Sequence, residues 1–287
     1  MFKNKLTLIL GKGILTLGAF IFATSCHKTK TVTPSNSEDT GYASDHMLAE
    51  KSYSDAQTIS DQAATVSGGT GTMGYRTTGT TLGPCATVTH SGDSIVIDFG
   101  TTDCTCLDGR TRRGKIIVTY TGGHYADSGS VHTITFSGYY VDDNAVTGTK
   151  TVTNMGHNSA GQLWFNVTIN GTITKATGGT ITANWTRVRT WLTGDTTSRW
   201  SDDSYSISGT GTLNRTTAAG VTSTVNVSIS TATPLIVAYG CRWIEAGTIT
   251  YTLSTGATRS IDFGSTPVCN DVATLTWPGG STTITLP

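Results

Sequence analysis

The chain has 287 residues, of which 36 % are hydrophobic and 13 % are charged, with 34 glycines and a formal net charge of +0. This balance excludes collagen-like, coiled-coil and multi-span helical membrane proteins, and it provides no polybasic surface for nucleic acid. The 59 threonines favour pleated β structure over helix.

The N-terminus has the parts of a secretory signal peptide over residues 1–25. Lysines supply the positive charge, Gly13–Phe22 is an uncharged apolar run, and Ala23-Thr24-Ser25 are small residues before a cleavage point. Because Cys26 follows directly, this border resembles the bacterial lipobox. The resemblance implies cleavage after Ser25, lipidation of the Cys26 sulfur and acylation, for example by palmitate, of the new amino group. The alternative is a secreted protein with a cysteine at its border by chance.

The predicted mature chain would be held to the membrane by its lipid alone. Removing three signal lysines from nineteen basic residues leaves sixteen against nineteen acidic ones, a net charge of −3 that does not favour anionic headgroups. In diderm lipoproteins an aspartate after the cysteine favours retention in the inner membrane, whereas His27 and Lys28 stand here. With no acidic export cluster after Cys26, the resemblance implies an outer-membrane anchor facing the periplasm.

A tether and one helix are predicted before the strands. Residues 26–44 are polar, contain Pro34 and lack an apolar period, which predicts a flexible tether. Over residues 45–66, apolar residues recur mostly at three- and four-residue steps, which predicts an amphipathic helix. We expect its narrow apolar stripe to cover one end of a sheet, and a partner-binding helix is the alternative.

Residues 67–287 read as a single β-rich domain. Segments such as 163–170, 224–229 and 249–253 alternate apolar residues with Thr, Ser or Asn, so each has one buried and one wetted face. This alternation is typical of antiparallel meanders. About twelve strands are expected, too many for a minimal sandwich. The predicted fold class is therefore all-β, a large antiparallel meander forming a sandwich or a curved open sheet.

A weak repeat covers residues 85–123 and 241–280. Each copy has a cysteine, a hairpin, an Ile-Asp-Phe-Gly stretch and a second cysteine. In an oxidising compartment this predicts two local disulfides, one joining Cys85 to Cys104 or Cys106 and one joining Cys241 to Cys269. One thiol is left over. Metal ligation is not expected, because no second close cysteine pair or suitably spaced histidine is present.

Nothing in the sequence proposes a catalytic site, a metal or a cofactor. Asp98-Phe99-Gly100 and Asp262-Phe263-Gly264 match the kinase metal-binding triplet in letters only, without the other kinase motifs, and read as strand ends. The best candidate ligand surface is on one strand, where alternation places four side chains on one face with a fifth beyond a turn: Trp185, Arg187, Arg189, Trp191 and Trp200. Cation–π stacking there could hold a sugar ring or a carboxylate. The alternative is a solvent-facing ladder.

The whole chain resembles lipoproteins of the Bacteroidota outer membrane. The resemblance rests on Ser25-Cys26, on residues 189–192, 200–203 and 240–243, and on the closing Thr-Ile-Thr-Leu-Pro287. It implies a location and no activity. Our leading hypothesis is a non-catalytic envelope lipoprotein that binds or scaffolds an unknown glycan, lipid or protein partner at the outer membrane, and not nucleic acid. The alternative is a periplasmic carrier of lipid or another apolar ligand in a curved-sheet groove. A glycan hydrolase with carboxylates assembled in space comes third.

Overall fold

The computed structural model describes residues 36–65, 82, 86–124, 127–197, 199 and 201–286. The predicted signal peptide 1–25, the lipid-attachment residue Cys26, Cys85 and Trp200 all lie outside these residues. Among the described residues, no helix is both long enough and apolar enough to cross a bilayer.

One helix, α1 (Asn36–Thr65), precedes the strands. Its start overturns part of the tether prediction, because residues 36–44 are helical. The physical reason is tertiary: Tyr42 and Ala43 are buried, and Asp45 pairs with Lys175 and Arg215 at 2.8 and 2.5 Å. Such contacts stabilise a helix that the polar local pattern did not indicate.

The strands are all antiparallel, and their inward and outward residues alternate as the sequence predicts. Their bounds are β1 (Thr87–Ser91), β2 (Ser94–Asp98), β3 (Cys104–Thr105), β4 (Thr111–Thr121), β5 (Val131–Val141), β6 (Asn144–His157), β7 (Leu163–Thr174), β8 (Thr180–Thr193), β9 (Ser204–Thr216), β10 (Thr222–Ile229), β11 (Leu235–Ala238), β12 (Ile244–Ala246), β13 (Thr248–Leu253), β14 (Thr258–Asp262), β15 (Val272–Trp277) and β16 (Gly280–Thr285).

These strands form one open sheet and not a sandwich. The order is β1-β2-β4-β5-β6-β7-β8-β9-β10-β13-β14-β15-β16, with β3 paired to β4, and β11 paired to β9 and β12. The predicted all-β class with one N-terminal helix is therefore confirmed, and the curved open sheet is the correct alternative. Consecutive strands are neighbours almost throughout, as expected of a meander.

The sheet curves around α1. The helix contacts both β2 and β15, which lie second from the two ends of the sheet. It is also bonded to strands between them: the Tyr53 hydroxyl donates to the Thr147 carbonyl of β6 at 3.0 Å, and His46 Nδ1 lies 2.8 Å from the Tyr251 hydroxyl of β13. Over residues 40–64 only Ser44 is exposed. The helix is thus interior, and the expectation that a narrow apolar stripe covers only one end of a sheet is wrong.

Ion pairs to the sheet make the interior position of this polar helix tolerable. Asp45 pairs with an arginine of β9, Glu50 and Asp61 pair with arginines of β8, and Asp55 pairs with Arg110, directly before β4, and with Arg112 in β4. Because a step of five residues advances about 140° around a helix, successive carboxylates point in different directions. A sheet that surrounds the helix can reach all of them, and each buried carboxylate has the cation that burial demands.

The two repeat copies, called the first unit (85–123) and the second unit (241–280), form the same turn. In each, the aspartate side chain accepts a hydrogen bond from the glycine N–H two residues later, Asp98 from Gly100 and Asp262 from Gly264. In each, the phenylalanine N–H bonds to a glycine carbonyl across the ladder, at Gly114 and Gly247. The interpretation of these triplets as strand ends fits this geometry.

Candidate functional site

A cavity of about 490 Å³ lies between the C-terminal half of α1 and two separate parts of the sheet. One wall is the β3–β4 turn and the start of β4, and the other is formed by β9, β11 and the loop before β12. In the sheet, β4 and β9 are separated by β5 to β8, so only the curvature of the sheet brings them to one site. The volume is within the range of small-molecule sites.

The opening of the cavity lies between the two units. Leu107, Gly240 and Arg242 line the cavity and are also exposed, so they mark where it meets solvent. Leu107 belongs to the first unit and Arg242 to the second. The buried residues Tyr205, Ile207 and Leu235 form the interior lining.

Arg112 is the most deeply buried basic residue of the lining, at 1 % exposure. Its two terminal nitrogens bond to the two carboxylate oxygens of Asp108 at 2.8 and 2.6 Å, a bidentate pair that fixes the guanidinium plane. One of them also lies 3.7 Å from Asp55 of α1. The Nε–H is buried without an acceptor among the described residues. Arg112 is therefore a rigid and fully buried cation.

Arg110 links the helix to a strained turn. Its Nη1 bonds to Asp55 at 2.6 Å, and its Nε bonds to Asp142 at 2.8 Å. Asp142 and Asp143 both have positive φ, 47° and 60°, which is the geometry of a two-residue type I′ hairpin turn between β5 and β6. The Asp142 carboxylate also accepts from the Thr111 N–H at 2.9 Å. Arg110 thereby fixes one wall of the cavity.

Arg189 and Tyr205 form the opposite side. The Arg189 guanidinium lies 3.5 Å from the Tyr205 ring centroid, a cation–π stack, and its Nη1 is 3.5 Å from Asp61. Trp191 packs against Tyr205, and their ring centroids are 5.3 Å apart. These contacts hold both side chains in one arrangement.

The lining is rich in charged and aromatic residues. It contains five basic residues (Lys51, Arg110, Arg112, Arg189 and Arg242) and three acidic ones (Glu50, Asp55 and Asp108). It also contains Tyr205, Tyr239 and Trp243, and the indole N–H of Trp243 is buried without an acceptor in the described part of the chain. The cavity thus combines paired charges, aromatic residues and one exposed arginine, Arg242.

The carboxylates of the site are held ionised. Burial alone would raise the pKa of Glu50, but the charge of Arg187 and the hydrogen bond with His46 lower it to about 2. For Asp55, burial is likewise outweighed by Lys51, Arg110 and Arg112, and its pKa lies below the ordinary value. At neutral pH these groups are acceptors and counter-ions.

A disulfide fixes the rim of the second unit. Cys241 and Cys269 are bonded, as predicted, with their Cα atoms 5.6 Å apart. Cys104 is also in a disulfide, whose partner lies outside the described residues, and the pairing of Cys85 stays a prediction. Cys106 is a buried free thiol. Glu245 lies beside the Cys241 and Cys269 sulfurs, but disulfide sulfur is not a thiolate and does not form a metal site with it.

The sequence-predicted surface on β8 is buried. Trp185, Arg187, Arg189 and Trp191 share one face, as alternation predicts, but that face points at α1 and all four are at most 8 % exposed. Arg187 stacks on Trp185 at 4.6 Å and pairs with Glu50 at 3.2 Å. Of the four, only Arg189 lines the cavity. The solvent-facing ladder is therefore wrong, because the sheet curves toward this face and the helix fills it.

The sequence interpretation missed the arginines and carboxylates that line the cavity, including Arg112, Arg242 and Asp55. One signal was present: Arg112, like Lys150 on β6, occupies an inward position on a strand whose inward neighbours are apolar. A charge at such a position needs a buried partner. For Arg112 these are Asp108 and, on α1, Asp55, and the Lys150 ammonium donates to the Tyr53 carbonyl of α1 at 3.0 Å.

None of the protein-family models, curated proteins and solved structures compared with the chain matches it.

Proposed function

We propose that this chain is a non-catalytic, lipid-anchored envelope protein whose cavity binds a small ligand. The observation that carries the proposal is the cavity itself, enclosed by α1 and by both units, with a rim fixed by the Cys241–Cys269 disulfide. A scaffold that only displays its surface has no need of an interior space lined by buried arginines, which are costly to desolvate.

The state of the carboxylates supports binding over catalysis. A glycoside hydrolase of the usual kind needs one carboxylic acid whose pKa is raised toward neutrality. Here the pKa values of Glu50 and Asp55 are lowered, and Asp108 is locked in a bidentate pair with Arg112. These groups are suited to positioning arginines.

The occupied groove supports a small polar ligand over an apolar cargo. A lipid carrier would present its apolar sheet face to an acyl chain, but in the described part of the chain α1 covers that face. The remaining space is lined by charged side chains. An acyl chain in that space would remove water from these charges without giving them a hydrogen bond, which is unfavourable.

The anchor is the lipobox cysteine. Because one extended residue spans at most about 3.6 Å, residues 26–35 would keep the first turn of α1 within about 36 Å of the bilayer surface. The ligand site would then stay close to the membrane, at the periplasmic face of the outer membrane. Lipidation at Cys26 supplies the attachment, since each buried CH₂ contributes about 0.8 kcal/mol.

Replacing Cys26 by alanine tests the anchor. We expect Cys26→Ala to move the protein from the membrane fraction to the soluble fraction, whereas Cys106→Ala, the matched control, stays in the membrane fraction. Retention of Cys26→Ala in membranes would show that the lipid is not the anchor. Protease added to intact cells should leave the wild-type protein uncut if it faces the periplasm.

Native mass spectrometry of the full mature protein tests the binding. After incubation with the small-molecule fraction of envelope extract, wild-type protein should carry added mass that Val237→Trp, which fills the cavity, does not carry. Val221→Trp is the matched control, because Val221 is exposed and does not line the cavity. Equal added mass on all three proteins, or none on wild type, contradicts the proposal. Circular dichroism confirms that each variant is folded.

A further inference from the structure

One continuous row of hydroxyl side chains crosses the outer face of the sheet. Each strand on the hydrogen-bonded path from β1 to β16 contributes one serine or threonine, which is the cross-strand partner of the next. We call this set the hydroxyl row, and its members are Ser91, Ser94, Thr119, Thr133, Thr151, Thr168, Thr186, Thr210, Ser228, Thr250, Ser260, Thr276 and Ser281. Every member is exposed or half-buried.

The hydroxyls of this row are not used within the described chain, where none of them makes a side-chain hydrogen bond. Four residues along the same strands the situation is different. The Thr147 hydroxyl donates to the Thr172 carbonyl at 3.0 Å, and the Thr172 and Thr182 hydroxyl oxygens are 3.0 Å apart. Cross-strand threonines on this face can therefore satisfy one another, whereas the hydroxyl row keeps its donors and acceptors available to a partner.

The surface beside the row carries almost no charge. Within these strands, the positions two residues before and after the row point to the same face, and they include one charged side chain, Asp262. The basic residues Lys150, Arg187 and Arg189 of β6 and β8 are instead buried on the inner face. A charged partner would lose hydration at this surface without gaining a counter-ion. The surface therefore favours a neutral partner that brings hydroxyl groups of its own.

The shape of the row selects among neutral partners. Neighbouring strands lie about 4.8 Å apart, so the row extends over about 58 Å measured along the sheet. Because the sheet curves around α1, its outer face is convex, and a flat surface or a second copy of the chain would contact only a few strands. A linear polymer can follow the curve. The spacing of the strands is also close to the length of one sugar unit in an extended polysaccharide.

We propose that the hydroxyl row binds a neutral polysaccharide along its length, at a site separate from the cavity. Each serine or threonine hydroxyl can both donate to and accept from a sugar hydroxyl. Each such bond contributes little, because it replaces bonds to water, so binding depends on many contacts with one polymer chain.

Affinity electrophoresis of the full mature protein in non-ionic detergent tests the proposal. The gels contain hydroxyethylcellulose, galactomannan or dextran as neutral polymers, or polygalacturonate as a charged one. We expect at least one neutral polymer to retard the protein, and polygalacturonate to retard it less. Retardation by no neutral polymer, or equal or stronger retardation by polygalacturonate, overturns the proposal.

Replacing three adjacent members of the row tests the assignment of residues. The triple variant Thr151→Val, Thr168→Val and Thr186→Val removes three hydroxyls and keeps the shape of the side chains. We expect it to weaken the apparent affinity for the polymer about tenfold or more. The corresponding triple serine variant keeps the hydroxyls and should bind as wild type does.

Two controls separate the row from the rest of the molecule. The triple variant Thr147→Val, Thr172→Val and Thr182→Val changes the same strands at hydroxyls that already bond within the sheet, and it should bind as wild type does. Val237→Trp, which fills the cavity, should also leave retardation unchanged. Equal losses in the two valine triples, or loss of retardation in Val237→Trp, would overturn the proposal. Circular dichroism confirms that each variant is folded.

Discussion

The two units share one turn but differ in how they hold α1. The first unit contributes charge: Arg110 and Arg112 pair with Asp55 of the helix. The second unit contributes a neutral contact, the hydrogen bond between the Tyr251 hydroxyl and His46. The turn depends on local residues, whereas the helix contact depends on what each edge of the sheet meets. A repeated sequence pattern therefore predicts local geometry and does not predict function.

The units also differ in where the glycine lies whose carbonyl accepts from the phenylalanine N–H. In the first unit, Gly114 belongs to β4, the strand that follows the turn, whereas in the second, Gly247 lies directly before β13, the strand that precedes it. The same bonds are thus made with opposite chain order. Both units also reach the cavity, with residues of 107–112 on one side and residues 241–244 on the other.

Breaking the charged contact between the first unit and α1 should have the largest effect on stability. Asp55→Asn leaves Arg110 and Arg112 with less compensating charge in a buried site, which should lower the free energy of unfolding by about 3–5 kcal/mol. Tyr251→Phe, the counterpart in the second unit, removes one neutral hydrogen bond and should cost about 1–3 kcal/mol. Urea denaturation measures both. Equal losses would show that the two contacts do not differ as described.

The second largest effect is expected from the Cys241–Cys269 disulfide of the second unit. The Cys241–Cys269 bond closes a sequence separation of 28, for which the chain-entropy model gives about 3–4 kcal/mol. Removing it with Cys241→Ser and Cys269→Ser should therefore lower stability by about that amount, and ligand affinity should fall because the Arg242 rim loses its restraint. Cys106→Ala, at a buried free thiol of the first unit, is the control and should change neither rim nor affinity. Unchanged affinity in the double variant would separate the rim from binding.

Much of this fold could be predicted from the sequence, and for a physical reason. Alternation is a property of each strand alone, so the β class and the shared face of Trp185, Arg187, Arg189 and Trp191 follow from it. The cavity depends on the curvature of the whole sheet, which brings Arg112 near Tyr205 across four intervening strands. No local pattern contains that curvature.

The helix α1 shows the same limit of prediction from local sequence patterns. Its carboxylates, at steps of five and six residues, follow no periodic pattern that would indicate burial. Their partners are on β4, β8 and β9, far away in the sequence, so the burial of Glu50 and Asp55 could be inferred only from unpaired charges at inward strand positions. Helix length was underestimated for the same reason, since Tyr42, which the sequence assigns to the tether, is buried and lies beside Arg215 of β9.

The glycines that accept the phenylalanine N–H bonds, Gly114 and Gly247, offer a test in which the two units should behave alike. A Cβ added at Gly114 would lie 1.9 Å from the Gly138 carbonyl oxygen, and one added at Gly247 would lie 2.1 Å from that of Pro234. Both glycines have positive φ, so alanine adds backbone strain to the clash. Each substitution should cost about 3 kcal/mol. Gly256→Ala, with positive φ and open space around it, is the control and should cost only about 1–2 kcal/mol. A large difference between Gly114→Ala and Gly247→Ala would mean that the shared turn is not equally important in the two units.

The smallest effect concerns the aspartates that cap the two turns. Asp98 and Asp262 each accept from a glycine N–H, so alanine at either position should cost about 0.5–1.5 kcal/mol.

Asp98 alone also pairs with Lys115, at 2.8 Å, and this hydrogen bond, followed by that of Gly100, lowers its pKa. A lowered carboxyl pKa stabilises the fold above the unfolded value of about 3.8, and the contribution is lost as the pH falls through the folded value. Because Lys115 and Asp98 are both substantially exposed, its size should not exceed about 1 kcal/mol. In an NMR titration, Lys115→Met should raise the pKa of Asp98 while the chemical shifts of Asp262 stay as in wild type. An unchanged Asp98 titration would show that the glycine bond alone sets its pKa, and that the two turns are electrostatically equivalent.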